Sequence, residues 1–190
     1  VMWIASWALD AEHGYNSFLA YWGLFFACTG LIDGITQETT RAVAASRETQ
    51  VRGSANPWKL GALVGAVVAA VVLLAGLFAM SRIVPTHPGT ATGLLAFGLL
   101  SYAFQAVLSG ILSGSGLWNR YAALVALDSG VRLVLAVVVW ALGGGLVEFL
   151  VITVIGALSW ILILALSPVR VTLDVDRATF VRRVASAMVA

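Results

Sequence analysis

Residues 60–80 read LGALVGAVVAAVVLLAGLFAM, an uncharged stretch made almost entirely of Ala, Val, Leu and Gly. The hydrocarbon core of a bilayer is about 30 Å thick, and a helix crosses it with roughly 20 apolar residues. No water is available inside a bilayer, so a crossing segment must satisfy its own backbone hydrogen bonds, as a helix does. This stretch therefore predicts a transmembrane helix.

Similar apolar stretches recur along the chain on both sides of this one. The five predicted spans cover residues 15–35, 58–80, 92–113, 122–142 and 148–167. The first nine residues, VMWIASWAL, are too short to cross alone and are interpreted as the end of a first span. The glycines at 143–145 predict a tight turn before the last span, because glycine tolerates positive φ.

The composition excludes most other classes of protein. Hydrophobic residues make up 61% of the 190 residues and charged residues 11%, against about 25% charged in a soluble domain. A soluble enzyme, a disordered tail and a nucleic-acid-binding module are excluded. We predict one all-α polytopic membrane unit over residues 1–190, a helical bundle of five complete spans plus the end of another.

The basic residues predict the orientation of the bundle. Nine of the eleven Lys and Arg lie in alternate connections, namely Arg41, Arg47, Arg52, Lys59, Arg120, Arg170, Arg177, Arg182 and Arg183. Cytoplasmic loops of membrane proteins carry an excess of Lys and Arg. Residues 36–57, 114–121 and 167–190 are therefore predicted to be cytoplasmic, and Asp10, Glu12, Arg82, His87 and Glu148 to lie on the outer side.

Two of the cytoplasmic segments carry helix signals. Residues 36–48 contain no Gly or Pro and predict an extension of the preceding helix by several turns. Asp176 is a candidate N-cap for an amphipathic segment, residues 177–190. Its apolar residues Phe180, Val181, Val184 and Met188 repeat at helical spacing. This segment either lies on the membrane surface or leads into another span.

Small residues at i, i+4 spacing predict close helix packing. Such spacing lets two backbones approach closely in a membrane. The pairs are Gly30 and Gly34, Gly61 and Gly65, and Gly110 and Gly114. Together they favour a tightly packed bundle.

Asp128 and Arg132 are the charged pair inside a predicted span. Their four-residue spacing places them on one helix face, where they can pair. A lipid-facing charge at this depth costs at least a few kcal/mol, so the pair must face protein or a watery cavity. Two interpretations stay open: a substrate- or gating-related role, with Asp128 restraining Arg132, and a neutralised structural ion pair.

The remaining polar candidates are weaker. Gln105 is buried by position and needs a hydrogen-bond partner, through packing or through a ligand. Asp33 is expected to be interfacial, paired with Arg41 or with a neighbouring helix. His13 is expected, like His87, to be a solvated loop residue. We find no catalytic motif, metal-ligand cluster or cofactor motif, and expect neither enzymatic activity nor a cofactor.

Residues 25–44, FFACTGLIDGITQETTRAVA, resemble the second span of polysaccharide flippases of the multidrug/oligosaccharidyl-lipid/polysaccharide (MOP) superfamily. In that group a helix of small residues runs into a cytoplasmic Gln-Glu-x-Thr-Arg stretch. Residues 9–15 are similar to the outer turn that follows the family's first span. Residues 110–121 are similar to its fourth-to-fifth span connection, and residues 177–190 to the approach to its seventh span.

This resemblance implies a multi-pass transporter of the bacterial inner membrane. Such a flippase moves a polysaccharide or oligosaccharide precursor, linked to a polyprenyl pyrophosphate, to the outer leaflet for the cell envelope. It has two six-helix lobes around a central cavity that alternates access, and cationic cavity residues meet the pyrophosphate. Arg132 is the matching candidate here, with Asp128 and Gln105 beside it as substrate-binding residues.

The chain departs from the family in its number of spans. The family has about twelve to fourteen, so this chain matches one lobe, the N-terminal half. A missing C-terminal lobe, a second copy or a partner subunit would complete the cavity. The expected partners are the lipid-linked glycan and membrane lipids, with no nucleic acid.

Two alternatives stay open at this point. A cation-coupled multidrug antiporter of the same superfamily would need a carboxylate that binds H⁺ or Na⁺, and Asp33 and Asp128 are the candidates. A non-transporting scaffold subunit of an envelope complex would need no such ion-binding carboxylate.

Overall fold

The computed structural model describes residues 1–10, 14–49, 55–166, 168–169, 173 and 175–189, and within these residues it contains helices and no strands. The predictions made for Glu12, His13, Arg52 and Arg170 lie outside the described residues. The helices are α1 (Met2–Ala8), α2 (Gly14–Thr49), α3 (Pro57–Ile83), α4 (Pro88–Gly114), α5 (Trp118–Ala141), α6 (Leu146–Ile155), α7 (Ser159–Leu166) and α8 (Arg177–Val189).

Five helical segments are long and apolar enough to cross a membrane, which confirms the predicted all-α multi-pass architecture. They are α2, α3, α4, α5 and the α6–α7 segment. As predicted, α2 continues several turns beyond its apolar part. Pro57 begins α3 after an Asn56 cap, whose side chain accepts a hydrogen bond from the Lys59 N–H at 3.2 Å. Gly143 has φ 70°, as the predicted turn requires.

Helix α4 lies at the centre of the bundle and packs on both α2 and α3. Two of the predicted glycine pairs make these contacts. Gly61 and Gly65 of α3 face α4, whereas Gly110 and Gly114 of α4 face α2. In the third pair only Gly34 makes a close contact, against the backbone of α8, whereas a Cβ on Gly30 would meet nothing within 4 Å.

We expect Gly110→Ala to destabilise the bundle by about 1–3 kcal/mol, the usual cost of overpacking. A Cβ at Gly110 would lie 2.6 Å from Thr39 Cβ and 2.8 Å from the Thr36 carbonyl oxygen, so α2 and α4 would have to separate. The matched control is Gly93→Ala in the same helix, where a Cβ meets nothing within 4 Å. Thermal unfolding in detergent measures both variants, and equal shifts in their midpoints would contradict the packing role.

The last span is interrupted, which the sequence analysis did not predict. Residues Gly156–Leu158 form a 3₁₀ turn between α6 and α7. The Ser101 hydroxyl of α4 donates to the Ala157 carbonyl at 2.7 Å, and Trp160 Nε1 donates to Ser101 Oγ at 2.9 Å. The Ser101 hydroxyl thus gives the Ala157 carbonyl a hydrogen-bond partner at the interruption, and Trp160 holds that hydroxyl in place.

Helix α8 packs on the extension of α2. Its Phe180 and Val184 are buried, whereas Val181 is 37% exposed, so the predicted apolar face is narrower than expected. Asp176 caps the helix by accepting a hydrogen bond from the Thr179 N–H at 3.1 Å. Hydrogen bonds from the Thr179 side chain, and then from its backbone, lower the pKa of the carboxyl. Neither predicted placement of this segment, on the membrane surface or leading into another span, included packing on α2. That packing depends on α2 extending far enough to meet α8.

Candidate functional site

A polar cavity of about 520 Å³ opens between α2, α4 and α5. All three sequence-predicted site residues, Gln105, Asp128 and Arg132, line it together. Its other polar residues are Thr29, Asp33, Thr36, Gln37, Tyr102, Ser109 and Tyr121. The structure therefore gathers side chains from three helices into one site in the apolar part of the bundle.

Asp128 and Arg132 form the predicted ion pair on α5. Arg132 Nη1 donates to Asp128 Oδ2 at 2.9 Å, and Arg132 Nη2 lies 2.9 Å from Asp128 Oδ1. The Arg132 side chain is 6% exposed and the Asp128 side chain 16%. Two parallel contacts of this kind fix the plane of the guanidinium group as well as its position.

Aromatic rings and a glycine complete the surroundings of Arg132. Its guanidinium carbon lies 5.7 Å from the ring centre of Phe25 and 5.3 Å from that of Phe26, within cation–π range. On the other side is Gly156 of the 3₁₀ turn. A Cβ there would lie 2.6 Å from Asp128 Oδ1 and 2.7 Å from Arg132 Cζ. The ion pair fits because residue 156 has no side chain.

Asp33 belongs to this cavity as well. Tyr102 of α4 donates its hydroxyl hydrogen to Asp33 Oδ1 at 2.8 Å. This confirms the predicted neighbouring-helix partner and excludes Arg41, which pairs instead with Glu38. Asp33 and Arg41 are eight residues apart, about 12 Å along the helix axis, which is too far for a direct contact.

Three buried polar atoms of the cavity residues have no hydrogen-bond partner among the described residues. They are Arg132 Nε, a donor, and two acceptors, Gln105 Oε1 and Asp128 Oδ1. Asp128 Oδ1 is in an ion pair, 2.9 Å from Arg132 Nη2. Buried polar groups are nearly always paired in proteins, so unpaired ones need an explanation. Arg132 Nε lies against Gly156 of the 3₁₀ turn, whereas Gln105 Oε1 belongs to a residue that lines the cavity.

Sequence reasoning missed Tyr102 and Gly156. Tyr102 is three residues from Gln105, so it lies on the same face of α4, and its hydroxyl needs a partner when buried. That signal could have found it. No sequence signal distinguishes Gly156 from the other glycines, because its role depends on which residue faces it from α5.

The fold and the cavity together define a multi-pass helical membrane protein with a polar site among its spans. The chain is similar to an uncharacterized protein of Mycobacterium tuberculosis strain H37Rv, with 30% identity over 95% of this chain and 44% of the relative. An uncharacterized protein of Mycobacterium bovis has the same identity and coverage. A second uncharacterized protein of M. tuberculosis H37Rv is 31% identical over 81% of this chain and 36% of that relative.

The chain spans less than half the length of these curated relatives. No family model matches it, and no solved structure matches it.

Proposed function

We propose that this chain forms one lobe of a flippase that moves a polyprenyl-pyrophosphate-linked glycan across the bacterial inner membrane. The observation that carries the proposal is Arg132, a buried guanidinium group that lines a polar cavity within the spans. A guanidinium group in this setting suits a phosphate, since its planar fork matches two phosphate oxygens.

In this proposal the Asp128 carboxylate pairs with the Arg132 guanidinium group until substrate binds. A pyrophosphate oxygen pair then replaces the carboxylate, because both present two acceptors in a similar geometry. Gln105, which lies beside Asp128, contributes a further polar contact. The exposed apolar residues of α3 accommodate the polyprenyl chain, and no bond of the substrate is made or broken.

A second lobe, facing this one, is needed to enclose the substrate. More than half of each of these relatives lies outside the stretch aligned with this chain, which supports a two-lobe arrangement. A second copy of this chain or a partner subunit would serve the same purpose.

The experiment that tests the flippase proposal is depletion of the protein carrying this chain in its host cell. We expect lipid-linked glycan to accumulate on the cytoplasmic leaflet, where an enzyme added to the outside of intact spheroplasts cannot cleave it. The wild-type gene restores external cleavage. Unchanged external cleavage after depletion would overturn the proposal.

The charge of the cavity favours a second candidate, a cation-coupled antiporter. One arginine faces two carboxylates, Asp33 and Asp128, so the lining has a formal charge of −1 when all three are ionised. A carboxylate hydrogen-bonded to Tyr102 can exchange H⁺ or Na⁺. If this candidate is right, Asp33→Asn impairs transport more than Arg132→Gln, and the flippase proposal expects the reverse order.

A further inference from the structure

A second polar site lies outside the spans, between the extension of α2 and helix α8. We define the α2–α8 groove by six of its lining residues, Glu38, Arg41, Thr179, Arg182, Arg183 and Ser186; its volume is about 940 Å³. We propose that this groove binds the phosphate headgroup of an anionic lipid of the cytoplasmic leaflet. The inference does not depend on the transport proposal.

Two arginines of the groove, Arg41 and Arg183, lie near one carboxylate without a close hydrogen bond to it. Glu38, only 3% exposed, lies 3.8 Å from Arg41 Nη1 and 3.6 Å from Arg183 Nη1. Both distances exceed the roughly 3.2 Å limit of a good N–H···O hydrogen bond. Glu38 therefore orients the two guanidinium groups by charge while their N–H donors remain available to a phosphate.

The net charge of the groove is positive. Arg182 adds a third guanidinium group and makes no ion pair within the described part of the chain. Against these three are Glu38 and Asp176, and the Asp176 carboxylate is engaged by the Thr179 N–H at 3.1 Å. The Ser186 hydroxyl donates to the Arg182 carbonyl at 3.1 Å and the Thr179 side chain to Asp176, so the guanidinium groups are the donors for phosphate oxygens.

The position of the groove selects a lipid as the source of the phosphate. Glu38 and Arg41 lie three and six residues beyond Ile35, the end of the predicted span, or about 5 and 9 Å along the helix. The headgroup region of each leaflet is roughly 5–8 Å thick. Anionic cytoplasmic lipids attract basic side chains at this depth.

The test is native mass spectrometry of the full chain in detergent, titrated with phosphatidylglycerol or phosphatidylcholine of identical acyl chains. An arginine near anionic lipid contributes about a fivefold change in affinity. We expect the wild type to prefer phosphatidylglycerol by about 100-fold, from three arginines, and Arg182→Gln to lower this preference about fivefold. Arg182→Gln with Arg183→Gln should leave about a fivefold preference, from Arg41.

Arg120→Gln is the matched control, since it removes one charge from the same predicted membrane face outside the groove. Arg182→Gln breaks no ion pair within the described residues, so it reports on binding without disturbing the docking of α8. Equal affinity of the wild type for both lipids would overturn the proposal. So would an equal loss in Arg120→Gln and Arg182→Gln, or displacement of phosphatidylglycerol by millimolar inorganic phosphate.

Discussion

Arg132→Gln is expected to lower glycan translocation about 100-fold or more, because two charge-assisted bonds to phosphate contribute about 1.5–3 kcal/mol each. It should also destabilise the bundle by about 3–5 kcal/mol, since the largely buried Asp128 carboxylate loses its partner. Translocation in cells depleted of the wild type and thermal unfolding in detergent measure the two effects.

The double variant Asp128→Asn with Arg132→Gln separates these effects. Removing both charges removes the unpaired carboxylate, so stability should return to within about 1–2 kcal/mol of the wild type. Translocation should stay lost, because the guanidinium group is still absent. If the double variant transports like the wild type, the pair is structural and the substrate-binding role is wrong.

Gly156→Ala is the second large effect that we expect. The added Cβ would enter the space of the two side chains, 2.6 Å from Asp128 Oδ1 and 2.7 Å from Arg132 Cζ. Because α5 cannot move without losing its packing on α6, the ion pair must rearrange. The expected cost is about 2–3 kcal/mol in unfolding free energy, together with impaired translocation.

Gly130→Ala on α5 is the control, because a Cβ there meets nothing within 4 Å. A double-mutant cycle adds a sharper test. In an Arg132→Gln background the guanidinium atoms facing Gly156 are gone, so Gly156→Ala should cost at least about 1 kcal/mol less than in the wild type. An unchanged cost would show that Gly156 acts independently of Arg132.

Local patterns in the sequence were sufficient for several features of the structure. The five apolar stretches, the extension of α2 and the Asp128–Arg132 pair were all predicted, because each depends on neighbours within a few residues along one helix. The predicted boundaries were less accurate. Helix α4 begins at Pro88, four residues before the predicted span, because proline suits the first turn of a helix.

Features that join different helices could not be predicted in the same way. The sequence assigned Asp33 to an interface, and the rotation of α2 against α4 brought it to Tyr102 in the polar cavity. Packing between helices likewise brought Gly34, but not Gly30, into contact with another helix, and it docked α8 on α2.

Apolar length and i, i+4 spacing act along one helix, so they predicted a helical membrane protein with an ion pair inside a span. What surrounds that pair depends on packing between helices. Phe25, Gln105 and Gly156 reach it from three other helical segments, and their positions depend on how close each helix approaches and which face it turns inward.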